Sequence, residues 1–455
     1  MRRRIAVWLL LGAGLVAVAL WLRESPWPGG ESAIGAGVEA PPAGRWRPLP
    51  PDRRTAGPDD AGPASSARGD AEERARVLSL PYAAGVRRAE PGTVVGVVAW
   101  APVAAWPGVN LEVSGHASEA VLRAMDGEVL HRWRMPFERA FPEIAPNAET
   151  VFFRRAALRP EGRLIALYQT GGLVELGPQS NIVRRCAGSF YNDFFVQPGR
   201  DEANGDEGGE IWWSLAKEAR RDEAGREVLE DFVVALRPGE GTTGACEELW
   251  RMSVRQALSD SPFAAVLEPR RAEGDVFHSN TIEVFDGSLA DASPLFAAGN
   301  VLVSLREIST VAVLDGATGR ALWAQRGPWR LQHQPTPHRG DSGGGRLLIF
   351  DNRGAPEGSR LLEIELPGGE VVWRWQADPP RAFSTPEAGS VERLPNGNLL
   401  VTESERGRAF ELSPGGQVVW DFQTPHRAGR DNGLVATLME VVRYPAALWE
   451  PPRDE

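Results

Sequence analysis

Leu412–Trp420 reads LSPGGQVVW and Glu365–Trp373 reads ELPGGEVVW. In both, an apolar residue runs through a Pro-Gly-Gly turn into two valines and a tryptophan. Leu314–Trp323 (LDGATGRALW) and Ala124–Trp133 (AMDGEVLHRW) repeat the phrase with an acidic residue in the turn. From Trp323 to Trp373 is 50 residues and from Trp373 to Trp420 is 47. Repeats of about 40–50 residues, each a few strands long, are the signature of a β-propeller, whose blades bury their faces against one another. The tryptophan then reads as a packing residue between blades.

The rest of the body agrees. VLVSLREISTVAVLD (301–315), RLLIFDN (346–352) and NLLVTES (398–404) alternate at period two between Gly, Asp, Asn and Pro turns. Helical periodicity is scarce, and its best candidate is 214–221. The chain therefore reads as all-β, a single propeller of about six four-stranded blades. The late strand MEVVRYP (439–445) and the early strand VVGVVAW (94–100) are candidates to complete one blade and close the ring. The acidic insertion DEANGDEGGE (201–210) reads as a hairpin tip, since it lacks the ligand spacing of a calcium loop.

Composition removes several functions. The chain has 455 residues and a formal net charge of -11, with no basic block, so no nucleic-acid partner is expected. Lys217 is the only lysine, which leaves a lysine Schiff base or a phosphate loop almost nowhere to sit. No CxxCH is present, which rules out covalent c-type haem. At the N-terminus, Arg2, Arg3 and Arg4 precede an apolar run from Ile5 to Leu22, and about 17–25 such residues span a bilayer. The run reads as an uncleaved single-pass transmembrane helix in the inner membrane, with the N-terminus cytoplasmic by the positive-inside rule and the remaining chain in the periplasm or outside the cell. Residues 1–24 are thus expected as anchor, 25–75 as a Pro/Gly/Ala-rich disordered linker, and 76–455 as the propeller domain. In an oxidising compartment the only two cysteines, Cys186 and Cys246, are candidates for a disulfide.

Six histidines are present. His278 sits in DVFHSNTIEV before an alternating strand. His333 and His338 lie in LQHQPTPHRGDSGGGRLLIFDN (331–352), and Arg306 follows the strand NVLVSL. Asn352, Arg353 and Arg360 follow the strand ending in Asp351. Equivalent points of successive blades converge on the channel axis. HSNTIEV, VLVSLREISTVAVLD with its closing ALW, QH, LLIFDN with a following SR, LPNGNLLV and GGQVVW together resemble the bacterial arylsulfotransferase family, over roughly 184–444.

That resemblance implies a periplasmic six-bladed propeller that moves a sulfuryl group from an aryl sulfate to a phenol through a channel histidine, with no nucleotide or other cofactor and no metal. His278 matches the histidine of the family's HxN motif and His333 that of its QH motif, with Arg306 and Arg360 as the arginines. Asn280, Asn352, Arg353 and His338 are the expected substrate-binding residues. Fixed cations suit a group that develops negative charge on its oxygens, and a neutral imidazole is a competent nucleophile. The chain departs from the family in having no histidine between Arg339 and Pro425, and Asn192 stands where relatives often have histidine. His333 or His278 is then the nucleophile, or the pocket binds an anion without transferring it. Two other classes stay open: a membrane-tethered propeller that binds an anionic ligand, glycan or partner protein without chemistry, and a quinone dehydrogenase. The last needs a larger ring and a channel calcium site that the sequence does not clearly supply.

Overall fold

A computed structural model describes residues 84–449 apart from 200–208, 223–224, 240, 243–245, 269–273, 380–381 and 430. The anchor, the whole of the linker, the first eight residues of the expected propeller domain and most of the acidic insertion lie outside the described residues. Among the described residues no helix is long and apolar enough to cross a membrane.

Strands dominate, and the α-helices described are two short pieces, Phe137–Ala140 and Val254–Ser259. Among the described residues the strands form six sheets of four or five, antiparallel except where Gly274–Asp275 joins the third in parallel, plus one small three-stranded sheet. The second blade uses Arg155–Leu158, Leu164–Tyr168, Gly172–Leu176 and Ile182–Ala187. The third begins with Phe190–Gln197, the fourth with Ser279–Val284, the fifth with His333–Arg339 and the sixth with Ser390–Arg393. The first blade takes Val109–Ser114, Glu119–Arg123 and Val129–Arg134 from the early chain and its inner strand, Leu438–Tyr444, from the end.

Each inner strand touches the next blade, and the sixth blade's strands touch Leu438–Tyr444, so the sheets form a closed ring. Six buried apolar clusters sit between successive sheets, one per junction. This is a six-bladed β-propeller. Both faces of each blade are covered, so central strands such as Leu164–Tyr168 and Asn300–Leu305 are buried along their whole length.

The repeated tryptophans pack across the junctions. The indole N–H groups of Trp133, Trp323 and Trp420 donate to the turn carbonyls of Gly162, Pro367 and Met125 in the following blade, at 2.9–3.0 Å. The turn before each tryptophan needs a positive φ, met by Gly127 (93°), Gly319 (72°), Gly369 (76°) and Gly416 (79°).

Two expectations are corrected. MEVVRYP and VVGVVAW do not complete one blade. Leu438–Tyr444 closes the first, whereas Gly96–Trp100 adds a fifth, outermost strand to the sixth. The two chain ends therefore cross-tie adjacent blades. The helical candidate 214–221 belongs to the strand Ile211–Arg221. Trp212 and Ala216 face one buried cluster and Trp213 and Leu215 the other, so a doubly covered strand has no polar face to reveal its period. Cys186 and Cys246 are joined by a disulfide with a Cα–Cα distance of 5.3 Å.

Candidate active site

In each antiparallel blade the loop before the inner strand and the loop after the second strand lie at the same end of the ring. His278, Arg306, His333, Asn352 and Arg154 all occupy such loops or strand ends. There the inner strands carry register shifts at Tyr191/Phe194, Ser279/Thr281, His333/Thr336 and Leu438/Glu440. Such bulges bend a strand and re-aim its side chains. Non-glycine residues adopt left-handed backbone beside them: Asn192 (58°), His278 (47°), Leu331 (56°) and Gln334 (44°). This backbone strain has to be held by surrounding contacts.

Asparagines supply them. Asn192 Nδ2 donates to the carbonyl of Ser279 at 2.7 Å and Asn280 Nδ2 to that of Gln332 at 2.8 Å. Asn352 Nδ2 donates to the carbonyls of Thr385 and Ala388 at 2.6 and 2.7 Å. Each asparagine thus ties its blade to the next. Gln332 Nε2 reaches back to the carbonyl of Thr310 (2.9 Å) and the Ser304 hydroxyl (3.1 Å), so the QH pair hangs from the fourth blade.

His333 is 2% exposed. Its Nδ1 lies 2.8 Å from Asn352 Oδ1 and 3.1 Å from the Leu331 carbonyl. The Asn352 amide nitrogen is committed to two carbonyls, so its oxygen must accept, and Nδ1 carries the proton. Nε2 is then a lone pair, buried and without a hydrogen-bond partner among the described residues. Burial, with Arg306 next and Arg154 and His278 adding to it, holds the imidazole well below its usual pKa despite the Asn352 bond. His333 is neutral at physiological pH.

His278 has a different setting. Its Nδ1 lies 2.6 Å from Asp275 Oδ2, and its backbone N–H donates to Asp275 Oδ1 at 3.1 Å. Asp275 also pairs with Lys217, which is 2% exposed and sits 3.7 Å above the Tyr191 ring. Burial lowers His278 to about 4, opposed by Asp275 and assisted by Lys217 and Arg306. Burial pushes Asp275 up, but Lys217 and His278 outweigh it and hold the carboxyl below its usual range. Nearby, burial raises Asp231 to about 6, and its Oδ1 accepts from the Ser279 N–H at 3.0 Å.

Of the expected residues, His278, Arg306 and His333 share one electrostatic neighbourhood. Arg306 is 5% exposed, its Nη1 pairs with Glu307 and its Nη2 with Glu387, and its Nε has no hydrogen-bond partner among the described residues. Asn280 and Asn352 act as blade ties, and exposed Arg353 pairs with Glu387. Arg360 is not brought to the histidines. Its Nε binds Asp351 Oδ2 at 2.6 Å and its Nη2 the Pro328 carbonyl at 3.1 Å, bracing the loop. His338 lies further down the inner strand, 3.5 Å from Glu363, at the other end of the ring, because five residues of strand carry it about 17 Å away. Sequence reading missed Arg154, Asp275, Lys217 and Glu387. The Asp three residues before His278 and the chain's lone lysine were the signals available.

Further along the shaft, Arg155 Nη1 binds Asp193 at 2.8 Å and its Nη2 binds Glu440 at 2.6 Å, with Gln334 Oε1 3.1 Å from Nη1. Glu283 and Glu392, raised by burial to about 8 and about 7, add to this belt. An anion meets carboxylates from that side and guanidinium groups at the mouth.

A sequence profile described as arylsulfotransferase (ASST) matches residues 239–425. That stretch is arylsulfotransferase-like. It runs from the end of the third blade through the sixth and holds His278, Arg306, His333, Asn352 and Glu387. No curated protein matches the chain. Solved structures similar to it include a protein of unknown function from Bacteroides caccae, 14% identical, with 74% of this chain and 98% of that chain covered and a TM-score of 0.40. Virginiamycin B lyase from Staphylococcus aureus is 10% identical, with 75% and 87% covered and a TM-score of 0.36. Hydrazine synthase from Kuenenia stuttgartiensis is 11% identical, with 71% and 80% covered and a TM-score of 0.37. The fold assignment rests on the sheet order and closed ring.

Proposed function

We propose that the arylsulfotransferase-like mouth transfers a sulfuryl group from an aryl sulfate ester to a phenol, with His333 as the intermediate carrier. The observation that carries this reading is the state of His333. Its proton is held on Nδ1 by Asn352, and its Nε2 lone pair lies buried beside Arg306.

In the first half-reaction Nε2 attacks sulfur and the sulfur–aryl oxygen bond breaks. The aryl oxide leaves with the electron pair, while Arg306 and Arg154 face the charge growing on the sulfuryl oxygens. Asn352 accepts from Nδ1–H as the ring becomes positive. In the second half, the oxygen of a phenol attacks sulfur, the sulfur–nitrogen bond breaks, and its electron pair returns to Nε2. The phenolic proton passes to His278, whose conjugate acid is stabilised by Asp275, the role a carboxylate plays behind a histidine base. Lys217 keeps Asp275 ionised. The missing downstream histidine is compensated in this scheme by His333 itself.

The periplasmic placement and the anchor at 5–22 belong to the same proposal, since sulfate esters reaching the mouth would then come from outside the cytoplasm. The assay is release of para-nitrophenol from para-nitrophenyl sulfate with added phenol. Ping-pong kinetics support the scheme. Retention of sulfate without turnover would instead favour the anion-binding propeller.

A further inference from the structure

The loop before the sixth blade puts a carboxylate on two of the arginines of the mouth, Arg306 and Arg353. Glu387 Oε2 pairs with Arg306 Nη2, and Glu387 Oε1 pairs with Arg353 Nη2. One carboxylate thus bridges two guanidinium groups, the way an oxyanion would. Arg306 also pairs with Glu307, so its charge is fully offset by the chain itself.

The loop backbone is held by bonds that do not involve this side chain. The Glu387 and Ala388 N–H groups donate to Glu405 Oε1 at 2.8 and 3.2 Å. The Thr385 N–H donates to the Ser359 hydroxyl at 3.0 Å, and Asn352 holds the carbonyls of Thr385 and Ala388. The Glu387 side chain is 53% exposed, against 6% for that of Arg306. It can rotate into water about its own χ angles with no movement of the loop that holds Asn352, and hence His333.

We propose that Glu387 is the resident anion of the site, a specificity-determining residue that an incoming sulfuryl or phosphoryl ester must displace from Arg306 and Arg353. This rests on the mouth being the anion site of the proposed function. The carboxylate sets a threshold. A second carboxylate gains nothing over Glu387, which is already tethered, whereas a sulfate or phosphate monoester brings three oxygens to the same pair of guanidinium groups. Glu387 thereby rejects aryl carboxylic acids and admits aryl sulfates and phosphates. Because the loop that carries Glu387 also carries the carbonyls that fix Asn352, displacing the anion leaves the imidazole aimed.

The experiment is calorimetric titration of the full-length protein with inorganic sulfate, para-nitrophenyl sulfate and benzoate, for wild type, Glu387→Gln, Glu387→Ala and the surface control Glu143→Gln. Both Glu387 variants are expected to bind sulfate roughly tenfold more tightly, the scale of one hydrogen bond to a charged group, and to acquire measurable benzoate binding. Glu143→Gln should match wild type. Unchanged or weaker sulfate binding in both Glu387 variants overturns the proposal. Turnover is scored separately. If affinities shift as expected but no variant releases para-nitrophenol, the transfer reading fails and the Glu387 assignment stands. If turnover occurs with unshifted affinities, the assignment fails alone.

Discussion

Two pairs of histidines stand at the same end of the ring, and their surroundings differ. His116 and His426, at the junction of the first and sixth blades, stack with centroids 3.7 Å apart and planes 11° from parallel. His116 Nδ1 meets the Ser114 hydroxyl at 2.7 Å and its Nε2 meets Glu119 at 2.9 Å, while His426 Nε2 lies 3.8 Å from Glu112. His278 and His333 both face Arg306, and His333 faces Arg154 as well. The first pair is enclosed by carboxylates, and Glu119 is itself saturated by Arg132 and Arg134. In the second pair His278 rests on Asp275, whereas His333 has arginines as its nearest charges and its Nε2 left as a lone pair. Three of the left-handed non-glycine residues are His278, Leu331 and Gln334, whereas none of 114–119 or 424–428 is so strained. A place at the same end of the ring therefore does not make equal sites, and the second pair is also the more deeply buried. His333 Nε2 and His426 Nε2 both lack a hydrogen-bond partner among the described residues, so it is the sign of the nearest charge, Arg306 beside one and Glu112 beside the other, that separates a reactive imidazole from a blade fastener.

The contrast breaks most visibly under alanine. His333→Ala should lower para-nitrophenyl sulfate turnover by at least about a thousandfold, the usual scale for removing a nucleophile. The far-ultraviolet circular dichroism should stay unchanged. Next in size, Asn352→Ala releases the Nδ1 proton of His333 and loosens the loop, so turnover should fall by about a hundredfold with a smaller change in KM. If KM alone rises, Asn352 only binds substrate.

Lys217→Met sharpens the comparison through pH. Lys217 lowers the pKa of His278, so its removal lets the imidazole rise from about 4 toward its ordinary value near 6.5. A base that must be neutral is then lost at higher pH, and the acid limb of the kcat/KM profile should move to higher pH, with burial still holding it below the ordinary histidine value. A merely structural lysine would lower stability and leave that limb where it was. Lys217→Arg, which keeps the charge, should restore the original profile.

The fold was legible because the hairpin phrase ending in tryptophan recurs with glycine at the one turn position that needs positive φ. The ring's closure was half legible. MEVVRYP and VVGVVAW were recognisable as strands, but two blades accept a strand from the far chain end, and alternation carries no information about which. His278, Arg306 and His333 could be placed at one mouth because strand-to-loop boundaries locate them in each repeat. Arg360 and His338 were misplaced for the same reason. A residue next to a motif can point along the blade to Asp351, or lie one strand length away beside Glu363. Lys217 and Asp275 escaped because the sequence shows neither burial nor the approach of the third blade's second strand to the loop before the fourth.

Smaller effects concern stability. His278, His333 and His426 all have folded pKa values below the unfolded value, with His426 lowered by burial to about 4. The unfolded chain then takes up protons that the folded one refuses, so stability is present above about pH 6.5 and is lost as pH falls toward 4. Depressed Glu119 acts in the same direction further into the acid range. The buried carboxyls of Glu283, Glu392 and Asp231, raised to about 8, 7 and 6, act in the opposite direction over the same range, so the imidazoles' downward contribution to the slope of thermal midpoint from pH 7 to 4.5 is read by difference, against variants that lack one of them. His426→Ala should flatten part of that slope, cost about 1 kcal/mol at neutral pH, and leave turnover within about twofold.

The central claim is that one of these two pairs carries a sulfuryl group on a named nitrogen. Full-length protein mixed with excess para-nitrophenyl sulfate and no phenol, quenched under alkaline conditions and analysed by intact mass and peptide mapping, reads it directly. The account expects one added SO3 per chain on His333, formed with a matching burst of para-nitrophenol and discharged on adding phenol. An adduct on His278, His116 or His426, or steady turnover with no adduct at all, would contradict it.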